Sequence, residues 1–191
     1  MRQATLVLLL VLFAAVAKAQ TEISLTAGGY FPVNNPASPG NAFALEGSLA
    51  HSIASVPFVS LYLELPVAGS FVSHVPSPSL SGAVTFVSNY TSLFVTPGLR
   101  LKLAPSFPLS PYFAVGGGYG RFNHKLSDGS TSATNNGVFD VGGGLDMKVA
   151  PFLSLRGEVR DFYSSGLSLL PLSTNDRQHN LFATAGIVVH F

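Results

Sequence analysis

The chain has no cysteine, no tryptophan and few charges. Without cysteine there are no disulfides, no thiolate metal sites and no cysteine nucleophile. Charged residues make up 10% of the sequence, against roughly 25% in a soluble globular domain. A disordered chain would be polar and charged, so that class is excluded. The formal net charge of +1 over 191 residues supplies no clustered basic field, so nucleic acid is not an expected partner. Long apolar runs are also missing. The single sustained one covers residues 4–17, short of the roughly 20 residues that a membrane-spanning helix needs.

That run sits in a recognisable frame. Arg2 gives a short basic segment, Leu6 to Val16 an apolar one, and Ala17-Lys18-Ala19 an A-x-A cleavage site. Residues 1–19 therefore read as a secretory signal peptide. Residues 20–191 are the expected mature domain, with eight basic and nine acidic residues. If that domain spans a membrane, it does so with strands, because only helices and closed barrels satisfy every backbone group in lipid.

The mature chain alternates with period two between stretches of turn residues. Strands are predicted near 21–31, 41–51, 57–67, 92–103, 111–122, 137–149, 153–162 and 180–191. The joints near 32–40, 68–91, 123–136 and 163–179 are long and rich in Asn, Ser, Pro and Gly. Those near 52–56, 104–110 and 150–152 are shorter. Long joints on one side and short turns on the other mark an outer-membrane barrel. The predicted fold is all-β: an eight-stranded antiparallel up-and-down transmembrane barrel. Pro97 falls inside a proposed strand and predicts a bulge.

One face of these strands is aliphatic: Leu61, Leu63 and Leu65, or Leu153, Leu155 and Val159, for example. The other carries ten of the seventeen mature charges. They are Glu46, Glu64, Asp140, Asp146 and Glu158, with Arg100, Lys102, Lys148, Arg156 and Arg160. A soluble barrel of the lipocalin kind would place the aliphatic face inside. A membrane barrel places the charges inside, and five of each sign suit a closed interior where every buried charge needs a partner. The three-residue turn Ala150-Pro151-Phe152 sets Asp146 opposite Arg156 and Gly142 opposite Arg160, with Asp140 diagonal to Arg160. A symmetric register across 123–136 sets Gly116-Gly117-Gly118 against Gly142-Gly143-Gly144. Either these glycines let the sheet bend, or side chains such as Arg100, Arg156, Arg160 and Glu64 lean into the space above them.

The last strand runs Ala183-Thr184-Ala185-Gly186-Ile187-Val188-Val189-His190-Phe191. With Thr96 to Leu101, Gly142 to Asp146 and Leu153 to Glu158, it resembles the small bacterial outer-membrane β-barrel proteins of the OmpA, OmpX and OmpW types. The resemblance covers the whole mature chain. It implies a bacterial outer-membrane location and a monomer surrounded by outer-membrane lipid. It also implies that Phe191, Val189 and Ile187 form the signal read by the barrel-assembly machinery. No domain for binding peptidoglycan is expected after the barrel. Tyr30, Phe31, Phe43, Phe122, Phe162 and Tyr163 at one rim, and Phe58, Tyr112, Phe113, Phe152 and Phe191 at the other, are expected to replace a tryptophan-containing girdle.

An eight-stranded barrel is just wide enough for its own side chains to fill. The leading expectation is therefore a plugged polar lumen in a protein that anchors and displays its long loops, an adhesion-like role. Phe71, Val72, Val75, Leu80, Leu167, Leu169 and Leu170 in those loops would serve partner binding, though no surface ligand can be named. The alternative is a narrow channel, or an OmpW-like carrier of small hydrophobic solutes with Phe94 and Phe182 lining an apolar upper lumen. A lipid-modifying enzyme is the remote third class; catalytic, cofactor and metal residues are not expected. The triple glycines do not complete a nucleotide-binding motif. His51, His74, His124, His179 and His190 lack metalloprotease spacing, and clustering of the loop histidines at the barrel mouth would be needed for a metal or anion site. His51-Ser52 is the single adjacent histidine–serine pair.

Overall fold

The computed structural model describes residues 20–33, 40–72, 87–126, 131–165 and 177–191. The alternating sequence forms β1 (Thr21–Val33), β2 (Ala42–Val56), β3 (Val59–Val72), β4 (Val87–Val95), β5 (Gly98–Leu103), β6 (Leu109–Leu126), β7 (Thr131–Ala150), β8 (Leu153–Ser165) and β9 (Arg177–His190). Neighbouring strands are antiparallel, and β1 pairs with both β2 and β9. The sheet therefore closes on itself and leaves no free edge. β4 and β5 together form one stave, since both pair with β3 on one side and β6 on the other. The result is an eight-staved barrel. Among the described residues no helix is long and apolar enough to cross a membrane.

Pairing settles which face is inside. Glu46, Glu64, Arg100, Asp140, Arg156 and Arg160 are buried, whereas Leu45, Leu63, Leu65, Leu99, Val141, Leu155 and Val159 are exposed. On β8 the outward wall stays apolar from Leu153 to Val159 and meets its first charge at Asp161. The eight steps from Leu153 to Asp161, at about 3.3 Å each on a strand tilted by about 40°, put the first outward charge about 20 Å above Leu153, the scale of an outer-membrane barrel.

Four expectations change in detail. Pro97 does not create a bulge. Thr96 and Pro97 interrupt the stave, but Glu64–Gly98 and Val67–Val95 keep one register across the break. The proline lacks an N–H, yet its carbonyl accepts the Gly117 N–H at 3.1 Å, and Thr96 N–H points to Pro66 O at 3.4 Å. Second, the joint drawn at 123–136 is far shorter, because β6 and β7 run on to Lys125 opposite Thr131. Gly116 thus faces Asp140, and Gly142 faces Ala114, each four residues from its partner in the symmetric glycine register. Third, Tyr30, Phe122, Phe162 and Tyr112 are not girdle residues; they point into the lumen and are buried. Their positions share parity with the charged face, which dictates that direction. Phe31, Phe43, Phe58, Phe113, Phe152 and Phe191 are exposed on the outside. Fourth, Phe71, assigned to a loop, belongs to β3 and is exposed on the outer wall, and Val72 is its last residue. His74, Val75, Leu80, Leu167, Leu169, Leu170 and the segment 1–19 lie outside the described residues, as does the side chain of His124.

Candidate functional site

The interior is built in layers, each set by the inward positions of successive staves. At the short-turn end, Ser110 donates to Ala104 O at 2.8 Å and Lys148 Nζ to Pro105 O at 3.1 Å. These two bonds draw the turn between β5 and β6 across the mouth. A cavity of about 50 Å³ lies there, lined by residues that include Gln20, Glu22, Tyr62, Lys102, Ser154 and His190.

Above it lies the first ionic layer. Lys102 Nζ sits 2.6 Å from Glu22 and 2.7 Å from Asp146. Arg156 makes a two-pronged contact with Asp146, Nε to Oδ1 at 2.7 Å and Nη2 to Oδ2 at 2.9 Å. The register anticipated from the 150–152 turn places this pair face to face. Arg100 approaches Glu22 at 3.1 Å and Glu64 at 3.8 Å. Its guanidinium is also 5.3 Å from the ring centres of both Tyr62 and Tyr112, with Arg156 4.7 Å from the latter. A cation held over an aromatic face is attracted by the ring quadrupole, more strongly when desolvated.

The second ionic layer gathers about one cation. Arg160 lies 2.6 Å from Glu158, 3.0 Å from Asp140, 3.2 Å from Glu64 and 3.4 Å from Glu46. The space over the glycines is filled from neighbouring walls. A Cβ on Gly142 would meet Arg160 Cγ at 3.0 Å, and one on Gly144 would meet Tyr112 Oη at 2.5 Å. Gly116 faces the Asp140 carboxylate and the Thr96 carbonyl. Of the side chains proposed for this space, Arg160 lies nearest Gly142.

The third layer is aromatic. Phe94 and Phe162 stack with ring centres 4.7 Å apart, and Phe182 meets Phe162 edge-on at 5.1 Å. Phe122 and Phe182 meet Phe94 at 5.5 and 5.7 Å. Tyr30, Ala44, Ala68 and Val138 complete this cluster. Asn180 closes it above, accepting the Tyr30 hydroxyl at 2.7 Å and donating to Phe162 O at 2.9 Å.

Nine of the ten charged residues expected in the lumen meet in this network. Lys148 does not. It keeps its register opposite Ser154, ahead of the bulge at Val149, but stands one step nearer the mouth than Asp146, where it is exposed and bonded to Pro105 O. Glu22 takes a place that sequence reasoning had missed, bonded to Lys102 and 3.3 Å from His190. Its signal was its parity with Ser24 and Thr26 on the polar side of β1. The network therefore holds six carboxylates (Glu22, Glu46, Glu64, Asp140, Asp146 and Glu158) and four cations, not five of each. Tyr62 and Tyr112 were missed as its aromatic partners. His51 and Ser52 face opposite sides of β2: His51 reaches Thr21 Oγ1 at 3.1 Å outside, and Ser52 is buried inside. They form no hydrolytic pair. Ile187, Val189 and Phe191 share the outward parity of the closing strand, and Phe191 N–H bonds to Thr21 O at 2.9 Å. Among the described residues no set of three His, Asp or Glu side chains is placed to hold a metal ion.

Comparison with solved structures follows this architecture. The major outer-membrane protein of Thermus thermophilus superposes with a TM-score of 0.63 at 14% identity, covering 91% of this chain and 99% of that one. The attachment invasion locus protein Ail of Yersinia pestis gives 0.60 at 10% identity, covering 91% and 99%. Neisserial surface protein A gives 0.58 at 16%, covering 90% and 97%. The chain has the fold of an eight-stranded outer-membrane barrel. No protein-family model and no curated protein matches the sequence. The shared fold rests on the alternation of faces and the closed pairing, at identities where side-chain roles do not transfer.

Proposed function

We propose that this barrel is a sealed anchor in the bacterial outer membrane, exported through its cleaved N-terminal segment and displaying its long connections at the cell surface. One observation carries the reading: two buried ionic layers lie beneath a packed aromatic layer whose Phe94, Phe162 and Phe182 are fully buried. A lumen filled in this way serves stability rather than passage. The small outer-membrane barrels that share the fold support the location, and one of them is named for attachment. An attachment role for the displayed connections follows by analogy of fold. Phe191, Val189 and Ile187 serve as the assembly signal in this reading, outer-membrane lipid is the surrounding partner, and the barrel works as a monomer.

The apolar upper lumen gives a second reading its footing. Phe94 and Phe182 line the route that a small hydrophobic solute would take. Such a solute would have to part rings that touch one another, and the Gly117–Pro97 bond holds the wall at the stave's interruption. Planar-bilayer conductance and uptake of a hydrophobic probe, with and without the protein, test the two together. The sealed anchor predicts background signal in both. Steady conductance would replace it with a channel, and protein-dependent uptake with a carrier.

A further inference from the structure

Three side chains on successive staves meet at the short-turn mouth. His190 of β9 shares the inward parity of Val188 and stands opposite Glu22 of β1. Ser154 of β8 pairs with Val188 and lies diagonal to His190. Ser154 Oγ is 2.8 Å from His190 Nε2, and His190 Nδ1 is 3.3 Å from Glu22 Oε1. With the ring proton on Nδ1, toward the carboxylate, Nε2 accepts the Ser154 hydroxyl. Hydroxyl, imidazole and carboxylate in that order are the arrangement that activates a serine. The three lie far apart in the sequence, so no motif announces them. All three line the cavity of about 50 Å³ at the mouth, together with Lys102 and Lys148. Ser154 is buried, and this cavity is its approach. Lys148 stands opposite Ser154 in the ladder. Its ammonium spends one proton on Pro105 O and has two others for a developing negative charge. A wider cleft of about 560 Å³ shares Gln20, Pro105 and Lys148 with the cavity and is lined by Ser55, Ser60 and Ser106.

We propose that Ser154, His190 and Glu22 form a serine esterase site for short acyl esters of polar alcohols, entered from the periplasm. The periplasmic entry rests on the outer-membrane reading above. Ser154 Oγ attacks the acyl carbon while His190 Nε2 takes its proton. The ester C–O bond breaks, the alcohol leaves with that proton, and the acyl group stays on Ser154. Water then attacks the acyl-serine and gives a proton to the same nitrogen. Ser154 recovers it as the carboxylic acid departs. Lys148 holds the oxyanion in both halves. Glu22 is a positioning residue. It fixes the tautomer of the imidazole and balances the imidazolium, and Lys102 at 2.6 Å anchors it. At about 10–15 Å³ for a water, the inner cavity has room for roughly three or four heavy atoms, an acetyl group and not a fatty chain. The serine hydroxyls and the Gln20 amide of the cleft suit a hydroxyl-rich alcohol such as a sugar.

The test uses the refolded barrel in detergent micelles with p-nitrophenyl acetate and p-nitrophenyl octanoate. The wild type should hydrolyse the acetate with saturation and leave the octanoate near background. Acid quenching during turnover should trap an acetyl group on Ser154, located by peptide mass spectrometry. Ser154→Ala and His190→Gln should each lower kcat/KM for the acetate about a hundredfold or more. Glu22→Gln should lower kcat with KM unchanged, the mark of an effect made in the transition state. His51→Gln, exposed on the outside of the same rim, should leave the rate unchanged. Undiminished turnover in Ser154→Ala, an acetyl group trapped on other residues but not on Ser154, or octanoate hydrolysed as fast as acetate would overturn the proposal. Heat-dependent gel mobility, measured on every protein, separates the failures. A wild type without it is not a barrel and both readings fall; a wild type with it but with no turnover loses only the esterase site.

Discussion

Replacing Arg160 by methionine removes the cation around which four lumenal carboxylates gather. Glu158, Asp140, Glu64 and Glu46 all lie between 2.6 and 3.4 Å from it, and every partner is buried. A unit charge pair at about 3 Å is worth roughly 5 kcal/mol at an effective dielectric of about 20, and desolvation offsets much of that. Removing one partner of a buried pair nevertheless costs about 3–5 kcal/mol, because the other charge is left uncompensated. Here the stranded charge is shared by four groups, so the upper half of that range is expected. Methionine keeps most of the volume, which separates the charge from a cavity effect. Urea unfolding of the barrel in lipid vesicles measures the change. Adding Glu158→Gln to the Arg160→Met protein should restore part of the loss, since groups in one network do not add independently. A destabilisation below about 1 kcal/mol, or a double variant as unstable as the sum of the two singles, would refute the reasoning.

Gly142→Leu forces a side chain against Arg160 Cγ, Arg160 Cβ and Val159 O, all within 3.2 Å of a Cβ there. A loss of about 1–3 kcal/mol in the same unfolding assay is expected from overpacking. Phe94→Ala empties the centre of the aromatic layer and should cost about 3–5 kcal/mol, read as a fall in urea midpoint. Leu145→Arg places a charge on the outward wall near mid-height and should cost about 2–4 kcal/mol in vesicles. A neutral result there would mean that this wall does not face lipid.

The alternation of faces was legible because lipid outside and a filled lumen inside impose period two without exception through the membrane. Asp146 opposite Arg156 followed from a three-residue turn alone. The reading weakened where that constraint ends. Beyond Phe122 both faces of the β6–β7 hairpin are mostly polar, from Asn123, His124 and Lys125 to Asn135 and Asn136. The pattern there carries no register, and strand was taken for loop. Lys148 has the parity and the register of Asp146, but it stands at the mouth and gives its amine to Pro105 O of the turn, which alternation does not record. Glu22, Tyr30 and Phe162 are different. Their parity with Ser24, with Glu22 and with Arg160 placed them inside all along. An aromatic residue near a strand end reads as girdle only on odd positions of β1 and β8. Asp140 beside Arg160 was legible from the 150–152 turn, whereas Glu46 and Glu64 reach Arg160 across the lumen from β2 and β3, a meeting that no register along the sheet records.

The central claim is that alternating strands close inside-out in the outer membrane. The most direct measurement is the gel mobility of the outer-membrane fraction with and without boiling. The account predicts that the protein sediments with outer membranes and changes mobility on heating, as a barrel closed by β1 and β9 opens. A protein recovered in the soluble periplasm, or one whose mobility heat does not alter, would contradict it.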